Sequence, residues 1–351
     1  MHDFSGTSTV ANPSITTMRA GILSGVQSLS VQQRPIPEPR PGEVRIRMKT
    51  VGICGSDVSM FLGHRPDLAL PLLIGHEGLG YIDKSGAGVT SFQPGDRVVI
   101  EPNYPCGHCA MCWQGRGNIC VNKRIMGVRE TGCFAEYAIA PAEFTWPIPD
   151  AVQDDDAVVI EPTAVALHTI FSSPARPGDV VAVIGLGAIG LLVTHLAVQM
   201  GYRVLAYDRL PDKIALAEAF GAVPMPADAT TTQLASRWQQ AGVHTVFECA
   251  GAAPALTLAV EAAPRGACVV VAGLSDKGST ISEFAMTRQG INISTSMIYQ
   301  HPVDFARTIR LIEQGFIQPG RIISQHASFD QLPDALIAAS TGQHAKIVVH
   351  L

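Results

Sequence analysis

The segment Val180-Val181-Ala182-Val183-Ile184-Gly185-Leu186-Gly187-Ala188-Ile189-Gly190 decides the fold. An apolar β-branched run stops at a glycine, and an apolar helical period begins at once over residues 188–200, so the stretch reads strand, tight turn, helix. In that setting each glycine of the GxGxxG has its own physical reason. Gly185 permits the turn, Gly187 lets the backbone approach a pyrophosphate, and Gly190 lets helix and strand pack closely, while the helix N-terminus offers N–H groups to the phosphates. Asp208 ends the next apolar run, about 20 residues on, where a carboxylate accepts hydrogen bonds from ribose hydroxyls and repels a 2′-phosphate. NAD is therefore favoured over NADP, although Arg209 and Lys213 would suit the extra phosphate. The plainer role for Asp208 is to cap the following helix.

Outward from this segment, residues 164–299 alternate apolar strands with helical periods, the pattern of a parallel sheet covered on both faces. Residues 18–163 differ: short alternating runs at 44–48, 78–82, 97–100 and 135–140 are separated by Pro and Gly clusters, as in a β-rich, barrel-like unit. Helical periods near 303–314 and 332–339 and a last strand at 346–349 are expected to return to that unit, so that it comprises 18–163 and 300–351. The chain thus reads as α/β with two domains, and residues 1–17, small and polar, as a flexible extension without a secretory signal.

The 351 residues carry a formal charge of -5, with 47% apolar and 16% charged side chains. No basic run offers a field for nucleic acid, and no uninterrupted apolar stretch is long enough to span a membrane. A soluble, cytoplasmic protein with enough apolar surface for a homo-oligomer, dimer or tetramer, is expected.

Four of the eight cysteines fall within one short loop: Cys106, Cys109, Cys112 and Cys120, spaced C-x2-C-x2-C-x7-C. Four thiolates so close, with Gly107, Gly115 and Gly117 supplying turns, can close tetrahedrally on zinc and staple a lobe, about 101–125, that lacks a core of its own. An iron–sulfur cluster would want a shorter last spacer followed by proline. A second constellation is dispersed: Cys54 in Gly52-Ile53-Cys54-Gly55-Ser56-Asp57, His76-Glu77 in Gly75-His76-Glu77-Gly78-Leu79-Gly80, and Glu161-Pro162. Catalytic zinc takes three protein ligands and keeps one position open. Singly, Cys54 and His76 read as ordinary core residues. Glu161 interrupts an apolar stretch, where a carboxylate is costly unless paired or metal-bound.

These motifs, with GDRV at Gly95 and ECAG at Glu248, occur in an order that resembles the zinc-dependent medium-chain alcohol and polyol dehydrogenases from Met18 to Leu351. The resemblance implies a GroES-like catalytic domain, a Rossmann domain and an active site in the cleft between them. It implies one structural zinc on the four cysteines and one catalytic zinc on Cys54 and His76, with Glu77 or Glu161 as third ligand. Glu161-Pro162, where simple alcohol dehydrogenases often carry a cysteine, is similar to the sorbitol and threonine dehydrogenase side. By the same resemblance the metal activates a secondary hydroxyl whose hydride passes to NAD, and Ser56 passes on the proton. Ser59 replaces a relay histidine of many relatives, and Ile298-Tyr299 replaces the Arg-Tyr pair of sorbitol dehydrogenases. A polyol, polyol phosphate or sugar acid is the expected substrate, with a threonine-type or simple-alcohol dehydrogenase as the alternative. A non-catalytic zinc- and nucleotide-binding relative would have lost a ligand or a glycine, and none is lost.

Overall fold

The computed structural model describes residues 16–351. The extension expected over 1–17 lies outside the described residues as far as position 15, and Thr17 already opens the first strand.

The first unit is built on the long strand Glu43–Ile53, which alternates buried with half-buried or exposed side chains as far as Lys49 and is buried throughout from Thr50 on. It pairs antiparallel with Glu77–Ser85 on one side and with the last strand, Lys346–His350, on the other. The register does chemical work. Gly52 faces Glu77 and Ile53 faces Ile347, so the strand end carries Cys54 to the side of both His76-Glu77 and Lys346. Only glycine fits at 52, because a Cβ there would stand 2.2 Å from Glu77 Oε2. After Ile53 the chain turns into a helix, Gly55–Phe61, which the sequence reading did not anticipate.

The second unit is a six-stranded, wholly parallel sheet. Counted from Val180–Ile184, its strands lie in the order 3-2-1-4-5-6. That doubly wound arrangement places the ligand crevice where the order reverses, between the carboxyl ends of Val180–Ile184 and Thr245–Glu248.

Two helices lie at the expected boundaries between the units. Helix Ile160–Phe171 runs straight through the division placed at 163/164, since its largely apolar sequence is buried from Ile160 to Ile170 on most sides. Helix Val303–Glu313 packs against it, and Phe305, Ile309 and Ile312 share a core with Val181, Val183 and Leu191. Phe305 also stacks on Trp146 of the first unit's strand Thr145–Pro147, with ring centroids 5.7 Å apart, so this helix touches both units, and the chain pairs with the first unit's sheet at Ile323–Ser328.

Candidate active site and metal centres

Cys54 precedes the short helix Gly55–Phe61, and its backbone N–H donates to Asp57 Oδ2 at 2.9 Å. The other oxygen of this fully buried carboxylate accepts from Gly75 N at 3.2 Å and lies 3.5 Å from His76 Nδ1. Asp57 therefore ties the two ligand-bearing segments together. Donor atoms of Cys54, His76 and Glu77 lie within 4.8 Å of one another, and Ser56 Oγ is 3.4 Å from His76 Nε2.

Burial works against a charged His76, but the neighbouring Asp57 and Cys54 outweigh it and raise its proton affinity well above the ordinary value. A field that favours a proton there favours a divalent cation too. His76 Nδ1 is buried with no hydrogen-bond partner, and the sulfur, imidazole and carboxylate donor set suits zinc.

Glu77 is held by Lys346, whose Nζ donates to its two oxygens at 2.7 and 2.8 Å and to the Ile53 carbonyl at 3.1 Å. Burial opposes the lysine's charge, and Glu77 more than restores it. Glu161, on helix Ile160–Phe171, stands beside this group without joining the close triad. Burial pushes its carboxyl up to about 7; His76 pulls down, Glu77 pushes further up, and Lys346 and Tyr299 pull down.

The four lobe cysteines are unbridged. Their sulfurs lie 3.5 Å (Cys109–Cys112), 3.8 Å (Cys109–Cys120) and 4.0 Å (Cys106–Cys112) apart. A zinc–sulfur distance of about 2.3 Å gives a tetrahedral edge of about 3.8 Å, so the four fit one zinc. Backbone hydrogen bonding, from Cys112 first, pulls the Cys109 thiol down to about 6, while desolvation pushes Cys112 up to about 11.

At the glycine turn, Gly185 has φ +84 and a Cβ there would lie 2.5 Å from Ala250 Cα; at Gly190 one would lie 1.8 Å from Gly185 O. Both glycines are dictated by packing. Gly187 is not: its φ is -71 and nothing lies within 4 Å of an added Cβ. The open space there is the cradle a pyrophosphate would fill. Asp208 Oδ2 accepts from Leu186 N at 2.7 Å and Oδ1 from Leu210 N at 2.9 Å, so this carboxylate also fixes the turn. Lys213 sits half-buried on the next helix, Pro211–Ala219.

Sequence reading missed Asp57, Lys346, Asn103 and Tyr299 as members of the site. Asp57 was visible inside its motif. Tyr299, noted in the sequence only as half of the Ile298-Tyr299 pair, is buried against Glu161 and accepts from Asn103 Nδ2 at 2.8 Å.

Residues 40–150 match the alcohol dehydrogenase GroES-like domain, and residues 188–314 match the zinc-binding dehydrogenase domain. The chain is 32% identical over 323 residues to the starvation-sensing protein RspB of Escherichia coli, covering 91% of this chain and 94% of that one. It is 29% identical to a sorbitol dehydrogenase of Halalkalibacterium halodurans, over 93% of this chain and 96% of the relative. The crystal structure of an E. coli CFT073 alcohol dehydrogenase, rspB, complexed with NADH, superposes with a TM-score of 0.88 at 31% identity, covering 96% of this chain and all of that one.

A GroES-like unit joined to a doubly wound nucleotide-binding unit defines a two-domain oxidoreductase. The chain belongs to the zinc-dependent medium-chain alcohol and polyol dehydrogenases. No helix among the described residues is long and apolar enough to cross a membrane.

Proposed function

We propose that this protein oxidises a secondary hydroxyl of a polyol, polyol phosphate or sugar acid and transfers the hydride to NAD. The observation that carries the reading is the convergence of Cys54, His76 and Glu77 within 4.8 Å, with Glu161 alongside. When bound, zinc supplies Lewis acidity toward the hydroxyl, and the nicotinamide ring accepts the hydride. Cys54 and His76 hold that metal, with Glu77 or Glu161 as third donor, and Cys106, Cys109, Cys112 and Cys120 hold a second. Ser56 takes the proton that the substrate releases and hands it outward.

The NAD preference rests on Asp208 at the end of strand Arg203–Tyr207 and on the NADH complex of the rspB relative. The sorbitol dehydrogenase relative supports a polyhydroxylated substrate. Assembly into a homo-oligomer is supported by the exposed edge strand Asn292–Thr295 and by exposed Leu274, Phe284 and Met297 nearby in sequence.

The test is initial-rate reduction of NAD and NADP by the zinc-replete protein against polyols, polyol phosphates, sugar acids, threonine and primary alcohols. A rate with NAD and a polyhydroxylated substrate, abolished by Cys54→Ser, is expected. Silence across the panel with both cofactors, at full zinc content, would sink the reading.

A further inference from the structure

Between the last lobe cysteine and the strand Arg124–Ile125, Lys123 turns a half-buried side chain inward. Its Nζ donates to the Asn118 carbonyl at 2.8 Å, and no carboxylate pairs with it among the described residues. Next door, Arg124 is already paired with Glu130 at 2.9 Å. An ammonium group has three donors, so two remain after the bond to Asn118.

Asn118, through its backbone and side chain, links the lysine to the loop that carries Tyr299. Its Nδ2 donates to the Met297 carbonyl at 3.0 Å, and its Oδ1 accepts from Gln300 Nε2 at 3.0 Å. The clasped residues between them are Ile298 and Tyr299. Ile298 has φ 46, a left-handed conformation that a β-branched residue adopts only under constraint. Tyr299 lies against Glu161. The lobe is thus tied to the loop that carries Tyr299, and Tyr299 in turn meets the Glu161 helix.

Burial lowers the proton affinity of Lys123, and the charges of Cys120 and Glu161 act to keep it protonated. A half-buried ammonium with no carboxylate at hydrogen-bonding distance carries a desolvation cost that an incoming anion would offset. The plainer role is counter-charge to the four thiolates. Against that, the amine is anchored on a carbonyl and donates to none of the four sulfurs.

We infer that Lys123 recognises an anionic substituent, phosphate or carboxylate, on the polyhydroxylated substrate, with Asn118 as its positioning residue. The inference rests on the polyol dehydrogenase reading and narrows it to anionic members of the class.

Matched pairs test it: glycerol against glycerol 3-phosphate, and sorbitol against gluconate, titrated calorimetrically into the zinc-replete protein with NADH present. Wild type is expected to bind one anionic member at least about 10-fold more tightly than its neutral partner, the scale of a charged hydrogen bond. Lys123→Met should erase that difference at unchanged zinc content, and Lys123→Arg should keep part of it. The arm that shows the preference identifies phosphate or carboxylate. Equal weakening of both members by Lys123→Met, loss of zinc in that variant, or no anion preference in wild type would each overturn the inference. Anion binding without NAD reduction on any substrate would instead strike the dehydrogenase reading and leave the anion site standing.

Discussion

The two clusters of side chains proposed to hold zinc are built by opposite routes. Cys106, Cys109, Cys112 and Cys120 come from one loop whose helix, Ala110–Trp113, buries no residue and whose Trp113 and Val121 are 78% and 76% exposed. Cys54, His76, Glu77 and Glu161 come from three separate segments embedded in core, where Asp57 and Glu77 are fully buried and Lys346 is 3% exposed. On that reading a metal would have to organise the lobe. Around Cys54 and His76 the chain is organised first, by strand register and by Asp57, and the donor atoms are presented ready-made.

The largest expected effect separates these routes. Structural zinc contributes about 10–16 kcal/mol in small zinc modules, and the lobe has little else to hold it. Cys109→Ser should therefore release one zinc and open the lobe. Limited proteolysis checks this: cleavage should appear between residues 103 and 125 while the parallel-sheet unit stays resistant. A lobe that remains protected without its zinc would mean that its contacts to Met297 and Gln300 suffice.

Next in size is the buried ion pair of Lys346 with Glu77. Removing one partner of such a pair costs about 3–5 kcal/mol, because the other charge is left buried and uncompensated, whereas removing both is often near neutral. Lys346→Met should lower the urea midpoint of unfolding strongly, and Lys346→Met combined with Glu77→Leu should regain most of the loss. If the double variant is no better than the single, Glu77 is stabilised by something other than the lysine, and the pre-organised cleft needs another explanation.

How much of this was legible in the sequence follows from the same contrast. The clustering of the four lobe cysteines could be read because they lie within one local spacing, and the glycine turn because strand, glycines and helix are contiguous. Packing later accounted for Gly185 and Gly190, and open space for Gly187. The dispersed ligands were legible only as a set of motifs. Their partners were not: Lys346 reaches Glu77 through a pairing 269 residues apart in sequence, and nothing in its own neighbourhood announces a buried charge. The unit boundaries fall in or beside helices, where a local pattern says least. The amphipathic pattern of Val303–Glu313 shows that the helix buries one face but does not say which sheet receives it.

The smallest expected effect sharpens the comparison most, because it leaves both sets of metal ligands intact. Asp57 makes no place in either ligand set, yet its carboxylate accepts from Cys54 N and Gly75 N and faces His76 Nδ1. Asp57→Asn keeps the size and one acceptor but turns the other oxygen into a donor, which must then meet a backbone N–H or the imidazole edge. The orientation of Cys54 and His76 loosens, while the lobe, which shares no hydrogen bond with Asp57, is untouched. Removal of such an outer partner typically costs about 10–100-fold in metal affinity. Competition with a chromophoric chelator should thus show one zinc weakened by that factor and one unchanged, with the thermal midpoint shifted only slightly. Equal weakening of both would mean that the two clusters are coupled, through the clasp that Asn118 makes between lobe and cleft.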